Sequence, residues 1–456
     1  MEPAVNLNEL EKYLYLLPDT FAQQMSGGRW HNYTYLQKIS DIVFNAITEG
    51  NGRIILNVPP RHGKSEFISH WLPVFFIKNF PHQNIIQTTY EQDFSILWGR
   101  RVRNTIKSNP QLEIHFQEDS KAAGRWNTAE GGGMTCAGIG GAITGRGGNL
   151  VIIDDPVKNW QDAKSETVQQ RNIDWFNSTL YTRLEPNATI IVLMTRWVEN
   201  DLAGYLISEH EDDWIHIRFP AMAEPGDPLG RGEGEALCPE RYDKEALLTI
   251  KKAVGSKVWA GLYQQRPAPE EGNVFKNEWW KYYRRLPELS FKLQSWDTAF
   301  KKGDENAYSV CQTWGQGETG YYLADQLREK LEYPELKRAI VNQYDKHRPD
   351  VVLVEDKASG QSVVQDLKRE TSLPLIAVKA EPGNGKEIRA DMVSPLIESG
   401  RVFLPNRATW LNDFLYETMH FPNSTFKDQV DAMSQGLQYF KEKKGRVISG
   451  VRVIRG

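Results

Sequence analysis

Cysteine is scarce in this chain. Three thiols, Cys136, Cys238 and Cys311, stand far apart among 456 residues. An odd, scattered set with no C-x-x-C pair argues against a disulfide framework or a thiolate zinc site and fits a reducing compartment. Long apolar runs are also missing, and none approaches the roughly 20 residues that span a bilayer. The opening stretch MEPAVNLNELEKYLYLLPDTF has neither the basic start nor the apolar centre of a signal peptide. Charge of one sign is not in excess: 55 Lys and Arg face 59 Asp and Glu, a net −4. The bulk charge therefore carries no polyelectrolyte signal for nucleic acid, though a local basic patch stays compatible with it. No internal repeat is evident.

What remains is an ordinary globular composition, 40% hydrophobic and 25% charged. The length implies roughly two or three domains, enough for a sizeable core in each of two. The fourteen tryptophans read mainly as core. Tyr33 to Ala46 has the spacing of an amphipathic helix. Apolar runs follow that read as buried strands: RIILNV (53–58), NIIQTTY (84–90), LVIIDD (150–155), TIIVLMT (189–195) and WIHIRF (214–219). With helical segments between several of them, they predict a mostly parallel sheet covered on both faces. The glycine-rich AGIGGAITGRGGN (137–149) reads as a loop. Turn-rich stretches at 221–235 and 266–274 place a domain boundary near the second.

Beyond it the pattern restarts. Strands are expected at 291–300, 307–315, 319–327, 350–356 and 374–380, with helices at 334–347, 361–370 and 428–440. Three strands followed by alternating helix and strand is the order of a ribonuclease H-like domain. The sequence thus divides into a first domain over 1–265, a linker over 266–285, a second, ribonuclease H-like domain over 286–440, and a basic tail over 441–456, read as a mobile end.

The chemistry of the first half centres on NVPPRHGKSEF, Asn57 to Phe67. It ends as a phosphate-binding loop does, in Gly63-Lys64-Ser65, between a strand and a helix start. Amide groups at such a start bind phosphate oxygens, helped by the helix dipole. Lys64 would neutralise the β- and γ-phosphates, and the Ser65 hydroxyl would ligate Mg²⁺. Val58 stands where the first glycine belongs, but Pro59-Pro60 can stiffen the turn, and Arg61 and His62 add donors. LVIIDD supplies the second half of the site. Asp154 would hold the magnesium shell, and Asp155 sits where a base polarises the attacking water. Thr195 ends the next strand, where a polar group can sense the γ-phosphate. Arg61, Arg146 and Arg196 are alternative transition-state arginines, and Trp30, His31 and Tyr33 could meet the adenine. Arg100, Arg101, Arg103 and Lys107 form a basic helix face that could contact DNA phosphates.

The second half carries carboxylates. Asp297 and Glu355 end strands, and Asp428 and Asp431, spaced i, i+3, share one helix face. Asp356 follows Glu355 and points the other way, so Glu355 is taken as the inward acid. Asp304 reads as a turn residue. Converging acids of this kind hold two hard divalent cations, Mg²⁺ or Mn²⁺ rather than a softer metal.

Taken with PPRHGKS (59–65), TGRGGNLVIIDDPVKN (144–159), VLMTRW (192–197), SWDTAFKKGDENAYSV (295–310), VEDKASGQSVVQDL (354–367), DMVSPLIESGRVFLP (391–405) and DQVDAMSQGL (428–437), the chain resembles the large terminase subunit of tailed bacteriophages. The resemblance implies an N-terminal P-loop ATPase joined to a C-terminal ribonuclease H-like endonuclease, with ATP and Mg²⁺ or Mn²⁺ as cofactors. It implies Pro60, Arg61, His62, Gly63, Lys64 and Ser65 at the nucleotide, Asp154 and Asp155 at magnesium and water, and Thr195 in coupling. It implies Asp297, Glu355 and Asp428 or Asp431 at the nuclease metals. Implied partners are double-stranded DNA, a small terminase subunit, a portal protein and further copies of the chain in a ring. The implied setting is the host cytoplasm. Related motors often have Glu as the second acid of the pair, where this chain has Asp155, so the two acids could divide their roles differently. A helicase-nuclease would share both chemistries.

Overall fold

The computed structural model describes residues 17–118, 120, 122–141, 143, 145, 147–210, 213–267, 273–298, 308–356, 358–379 and 385–449. Arg146 and Asp304, singled out above, lie outside them, as do 268–272 of the expected linker and 450–456 of the tail. The chain divides into two compact units, Met1–Lys251 with Ser256–Glu270, and Lys252–Gly255 with Glu271–Gly456.

The first unit is built on seven strands: β1 (Arg53–Asn57), β2 (Asn84–Thr89), β3 (Arg125–Asn127), β4 (Gly133–Gly138), β5 (Gly148–Asp154), β6 (Leu184–Met194) and β7 (Ile215–Arg218). Their order is β3-β4-β2-β5-β6-β1-β7. Among these strands only the β3–β4 pair is antiparallel. Alternation along the strands feeds two cores, because successive side chains leave opposite faces. Ile54, Leu56, Ile152 and Leu193 join one, with Val43 of the helix Thr34–Glu49 and Phe75 of the helix Leu72–Asn79. Ile55, Ile153 and Val192 join the other, under Trp175 and Leu206. This is the covered, mostly parallel sheet expected from the continuous apolar runs. β3 and β4 were not foreseen; three residues, and a strand flanked by glycines, leave little apolar pattern to read.

The second unit contains β8 (Lys281–Tyr283), β9 (Phe291–Asp297), β10 (Ser309–Gln316), β11 (Tyr321–Glu329), β12 (Val351–Glu355), β13 (Leu375–Val378) and β14 (Val402–Pro405). The order is β13-β12-β9-β10-β11-β14-β8. β9, β10 and β11 form an antiparallel meander, and the outer strands add in parallel. The helices Tyr333–His347 and Ala358–Glu370 pack Leu336, Ile340 and Val363 on one face. On the other face lie Lys386–Glu398, Leu411–His420 and Asp428–Ser449, with Val393, Phe414, Met433 and Leu437 in the core. β14 was not expected, and two further features differ from the sequence reading. β8 falls inside the expected linker and pairs with β14, and the last helix continues past residue 440 to Ser449. Trp126, Trp296 and Trp314 are fully buried. No helix among the described residues is long and apolar enough to cross a membrane.

Candidate active sites

In the first unit β6 lies between β1 and β5, so the ends of three parallel strands bring the loop 58–63, Asp154-Asp155 and Thr195 together. The turn into the helix at Lys64 uses two left-handed residues, Arg61 (φ 62°) and Gly63 (φ 80°). Gly63 takes that backbone without strain and leaves the Trp30 ring 3.6 Å from where a Cβ would stand. The His62 ring is buried under Tyr35 and Tyr242. Its Nδ1 pairs with the Pro60 carbonyl at 2.8 Å, which makes Nδ1 the protonated nitrogen. Tyr35 donates its hydroxyl proton to the His62 carbonyl at 2.5 Å. Burial pulls the His62 pKa down to about 4, so the ring is neutral.

Asp154 is buried, and both of its oxygens are claimed. Ser65 Oγ donates to Oδ1 at 3.0 Å and Ser69 Oγ to Oδ2 at 2.7 Å. Burial, with the neighbouring Asp155 charge, raises its pKa to about 7. Ser69 was not anticipated; its signal is its place one turn after Ser65, on the same helix face. Asp155 leaves the sheet with a left-handed backbone, φ 44°, a conformation that a short polar side chain tolerates better than most. Its carboxylate bridges Lys64 Nζ at 3.0 Å and the Thr195 amide at 2.9 Å. Pro60, Gly63, Lys64, Ser65 and Asp155 line a cleft of about 1180 Å³ together with Arg61, Trp30, Trp98, Arg101 and Arg241. His31 and Tyr33 are not among its lining residues, while Trp30 is. Arg61 is exposed at its mouth. Arg196 is buried and engaged elsewhere, with Nε 2.9 Å from Asp201 and Nη2 donating to the Glu199 carbonyl at 3.0 Å.

The basic helix Gln92–Lys107 meets the same cleft. Arg101 lies over the Trp98 ring and 2.6 Å from Glu66, the residue after Ser65. Glu66 also engages His70 Nδ1 at 2.9 Å, and His70 Nε2 engages Thr105 at 2.7 Å. Arg100 and Lys107 are exposed.

In the second unit, the register that pairs Val354 with Trp296 sets Glu355 beside Asp297 at the ends of β12 and β9. Both are buried, as is Asp431, while Asp428 is partly exposed. Asp356 is partly exposed too, its amide bonded to the Val378 carbonyl at 2.7 Å. The helix bearing Asp428 and Asp431 is fixed from several sides. Glu417 accepts the otherwise orphaned amides of Gln429 and Val430 at 2.7 and 3.0 Å. Gln312 donates to the Gln429 carbonyl at 3.0 Å, and Gln435 donates to Ser295 Oγ at 2.9 Å. Gly436 lets the helix come close enough that a Cβ there would stand 3.1 Å from Trp314.

Crowding like charges out of water has the expected effect. Burial, then the charges of Asp431 and Glu355, push the Asp297 pKa well above the ordinary carboxylate range. Burial also raises Asp431, against the pull of Lys386 and Arg389. These two cations were missed in the sequence. Arg389 Nη1 is 2.9 Å from Glu355 and Nη2 is 3.1 Å from Asp431. Lys386 pairs with Asp431 and lies 3.9 Å from Asp428. The donor set, all buried or half-buried carboxylate, suits a hard divalent ion. Among the described residues no three His, Cys, Asp or Glu side chains are arranged to hold one, and Lys386 and Arg389 stand among the acids.

Known proteins agree with this layout. Residues 55–282 match the family described as terminase large subunit, T4likevirus-type, N-terminal. Residues 294–440 match the terminase RNaseH-like domain. No curated protein gives a match. Among solved structures, the large terminase of a thermophilic bacteriophage superposes with a TM-score of 0.50 at 12% identity, covering 87% of this chain and 95% of that one. A second crystal form of the same terminase gives 0.50 at 12% identity over 86% and 94%. The HK97 bacteriophage large terminase covers 82% of this chain and 86% of its own at 12% identity, with a TM-score of only 0.37. The solved structures speak to fold alone, but the two family matches run in sequence along the chain, one over each constellation, and on them the chain belongs to the large terminase subunit family of tailed phages.

Proposed function

We propose that the chain is an ATP-driven motor that moves double-stranded DNA into a procapsid and cuts concatemeric DNA with a two-metal endonuclease. The observation that carries this is the presence in one chain of a phosphate loop wired to Asp154 and Asp155 and a buried convergence of Asp297, Glu355 and Asp431.

In the motor, Pro60, Arg61, His62 and Gly63 shape the loop, and the amides at the helix start cradle phosphate. Lys64 exchanges its ion pair with Asp155 for phosphate oxygens. Ser65 and Asp154 would hold Mg²⁺, which neutralises phosphate charge. Asp155, once released by Lys64 and still held by the Thr195 amide, takes the proton of the attacking water. Thr195 then links the state of that carboxylate to the end of β6. Arg61, exposed at the cleft mouth, is the transition-state arginine we favour over Arg196, whose guanidinium is held by Asp201; Arg146 is the other.

In the nuclease, Asp297, Glu355, Asp428 and Asp431 would hold two divalent ions, which supply an activated water and stabilise the leaving oxygen. The protein's own part is to hold the acids on two adjoining strand ends and one braced helix. Sequence-independent phosphate contact suits packaging, and Arg100 and Lys107 offer it. The setting proposed is the host cytoplasm, with a small terminase subunit, a portal and other copies of the chain as partners, and with domain limits near those given above.

The test is ATP hydrolysis with and without DNA, and plasmid cleavage in Mg²⁺ and Mn²⁺. Lys64→Ala should abolish the DNA-stimulated ATPase and Asp297→Ala the cleavage. A chain that unwinds duplexes in a strand-displacement assay would point to a helicase-nuclease instead.

A further inference from the structure

The proposed nuclease centre gathers four carboxylates, Asp297, Glu355, Asp428 and Asp431, and two side-chain cations that pair with three of them. Arg389 spans from the end of β12 to the last helix, binding Glu355 with one nitrogen and Asp431 with the other. Lys386, one turn before it on the helix Lys386–Glu398, reaches Asp431 and Asp428. The spacing i, i+3 puts both cations on one helix face, and that face is turned into the acids. Asp431, the acid expected to serve metal, is gripped by both.

Resting on the nuclease reading, we infer that this helix face is a built-in occupant of the metal site: Lys386 and Arg389 stand in for divalent ions and must release Asp431 and Glu355 before ions can bind. The physical case has three parts. Buried carboxylates without compensation are costly, so metal-free acids need cations close by. An oxygen that ligates Mg²⁺ or Mn²⁺ at roughly 2 Å cannot keep an ammonium or guanidinium in the same direction. And the acids as placed form no metal-ready group among the described residues, although their chemistry suits one. The protein thus has a closed arrangement, partly neutralised from within, and an open one that takes ions. Occupancy is set by a competition, so the closed form weakens metal binding and restrains cleavage until substrate or ions displace the cations. Lys386 and Arg389 are positioning residues in this account, not catalytic ones.

The test is Mn²⁺ binding to the full chain without nucleotide or DNA, followed by the loss of the free-ion electron paramagnetic resonance signal. Lys386→Met should half-saturate at a roughly tenfold lower Mn²⁺ concentration, within the range over which neighbours of metal ligands tune affinity. Arg389→Gln should act in the same direction. Lys386 is 35% exposed on its side chain, so its variant reports even if the Arg389 variant fails to fold. Half-saturation at or above the wild-type concentration in Lys386→Met would overturn the inference; a drop in cleavage with unchanged Mn²⁺ affinity would instead assign the pair to substrate phosphate. Asp297→Asn separates the two levels. If it loses the binding step while Lys386→Met leaves it unchanged, the nuclease reading stands and this inference falls. If Asp297→Asn binds like wild type, the metal-site reading itself falls.

Discussion

Lys64 Nζ and Asp155 Oδ2 stand 3.0 Å apart, so the lysine of the proposed phosphate loop and the residue next to the buried acid neutralise each other beside the first unit's cleft. The Thr195 amide holds the other oxygen of the same carboxylate. One side chain is therefore shared between the loop that would bind phosphate and the strand end that would respond to it.

Asp155→Asn keeps the shape and the Thr195 contact and removes the proposed base. ATP turnover should fall by roughly 10²–10⁴-fold, the range for a lost general base, with KM little changed. Asp155→Glu should not restore it fully, because the left-handed backbone at φ 44° suits Asp better than Glu. Steady-state hydrolysis measured for all three chains checks both points.

His62 offers a pH test. Its folded pKa is lowered to about 4 from the ordinary 6.5 by burial. Protons therefore favour the unfolded chain in that window. The stability His62 allows is complete above about pH 6.5 and is lost as pH falls towards 4, by up to about 3 kcal/mol. His62→Asn, which can still donate towards the Pro60 carbonyl, should show a flatter acid limb in denaturant unfolding of the first unit.

The acid centre predicts the opposite sign. Asp297 has a raised folded pKa, so the folded state holds more protons and metal-free stability falls as pH rises above the unfolded value. Asp297→Asn should unfold at a higher temperature than wild type in chelator, and the gap should widen from about pH 5 to about pH 8. Calorimetry at both values decides it; a gap that narrows would contradict the burial argument.

Glu417 lies outside the proposed metal set but holds the start of the helix that carries Asp428 and Asp431. Glu417→Ala leaves buried amides without partners and should destabilise the second unit by roughly 1–3 kcal/mol. Cleavage should drop with it, while ATP hydrolysis stays at the wild-type rate. Glu417→Gln, which keeps an accepting oxygen, should recover most of the stability.

The sequence disclosed these sites unevenly, and the reasons are physical. Strand ends were readable because LVIIDD and DVVLVED are unbroken apolar runs closed by acids, and burial on both faces demands such runs. The i, i+3 pair Asp428 and Asp431 was readable because helix geometry fixes which face they share. Lys386 and Arg389 were not, because a basic pair at a helix start usually faces solvent and only the fold turns this one inward. Ser69 acts through a hydrogen bond to Asp154, far along the chain, and only its place one turn after Ser65 hints at it; Glu417 acts through the start of the next helix, whose approach only the fold decides. Short strands such as β8 at the sheet edge and β14 beside it are held by their neighbours rather than by their own residues, so they left no periodic trace. Arg196 illustrates the converse: its place after Thr195 made it one candidate transition-state arginine, but Asp201, only five residues on, holds its guanidinium.

The close approach at Gly436 limits how this half of the molecule can vary. Even an added methyl would press on Trp314 at 3.1 Å, while only touching Leu293 and Ser295 at 3.4 Å. It would act as a wedge, lifting the helix off the sheet near its midpoint and carrying Asp431 away from Asp297 and Glu355. Tolerance at this position is therefore set by reach rather than by stability: a chain could fold with alanine there and still fail to close its acids into one centre.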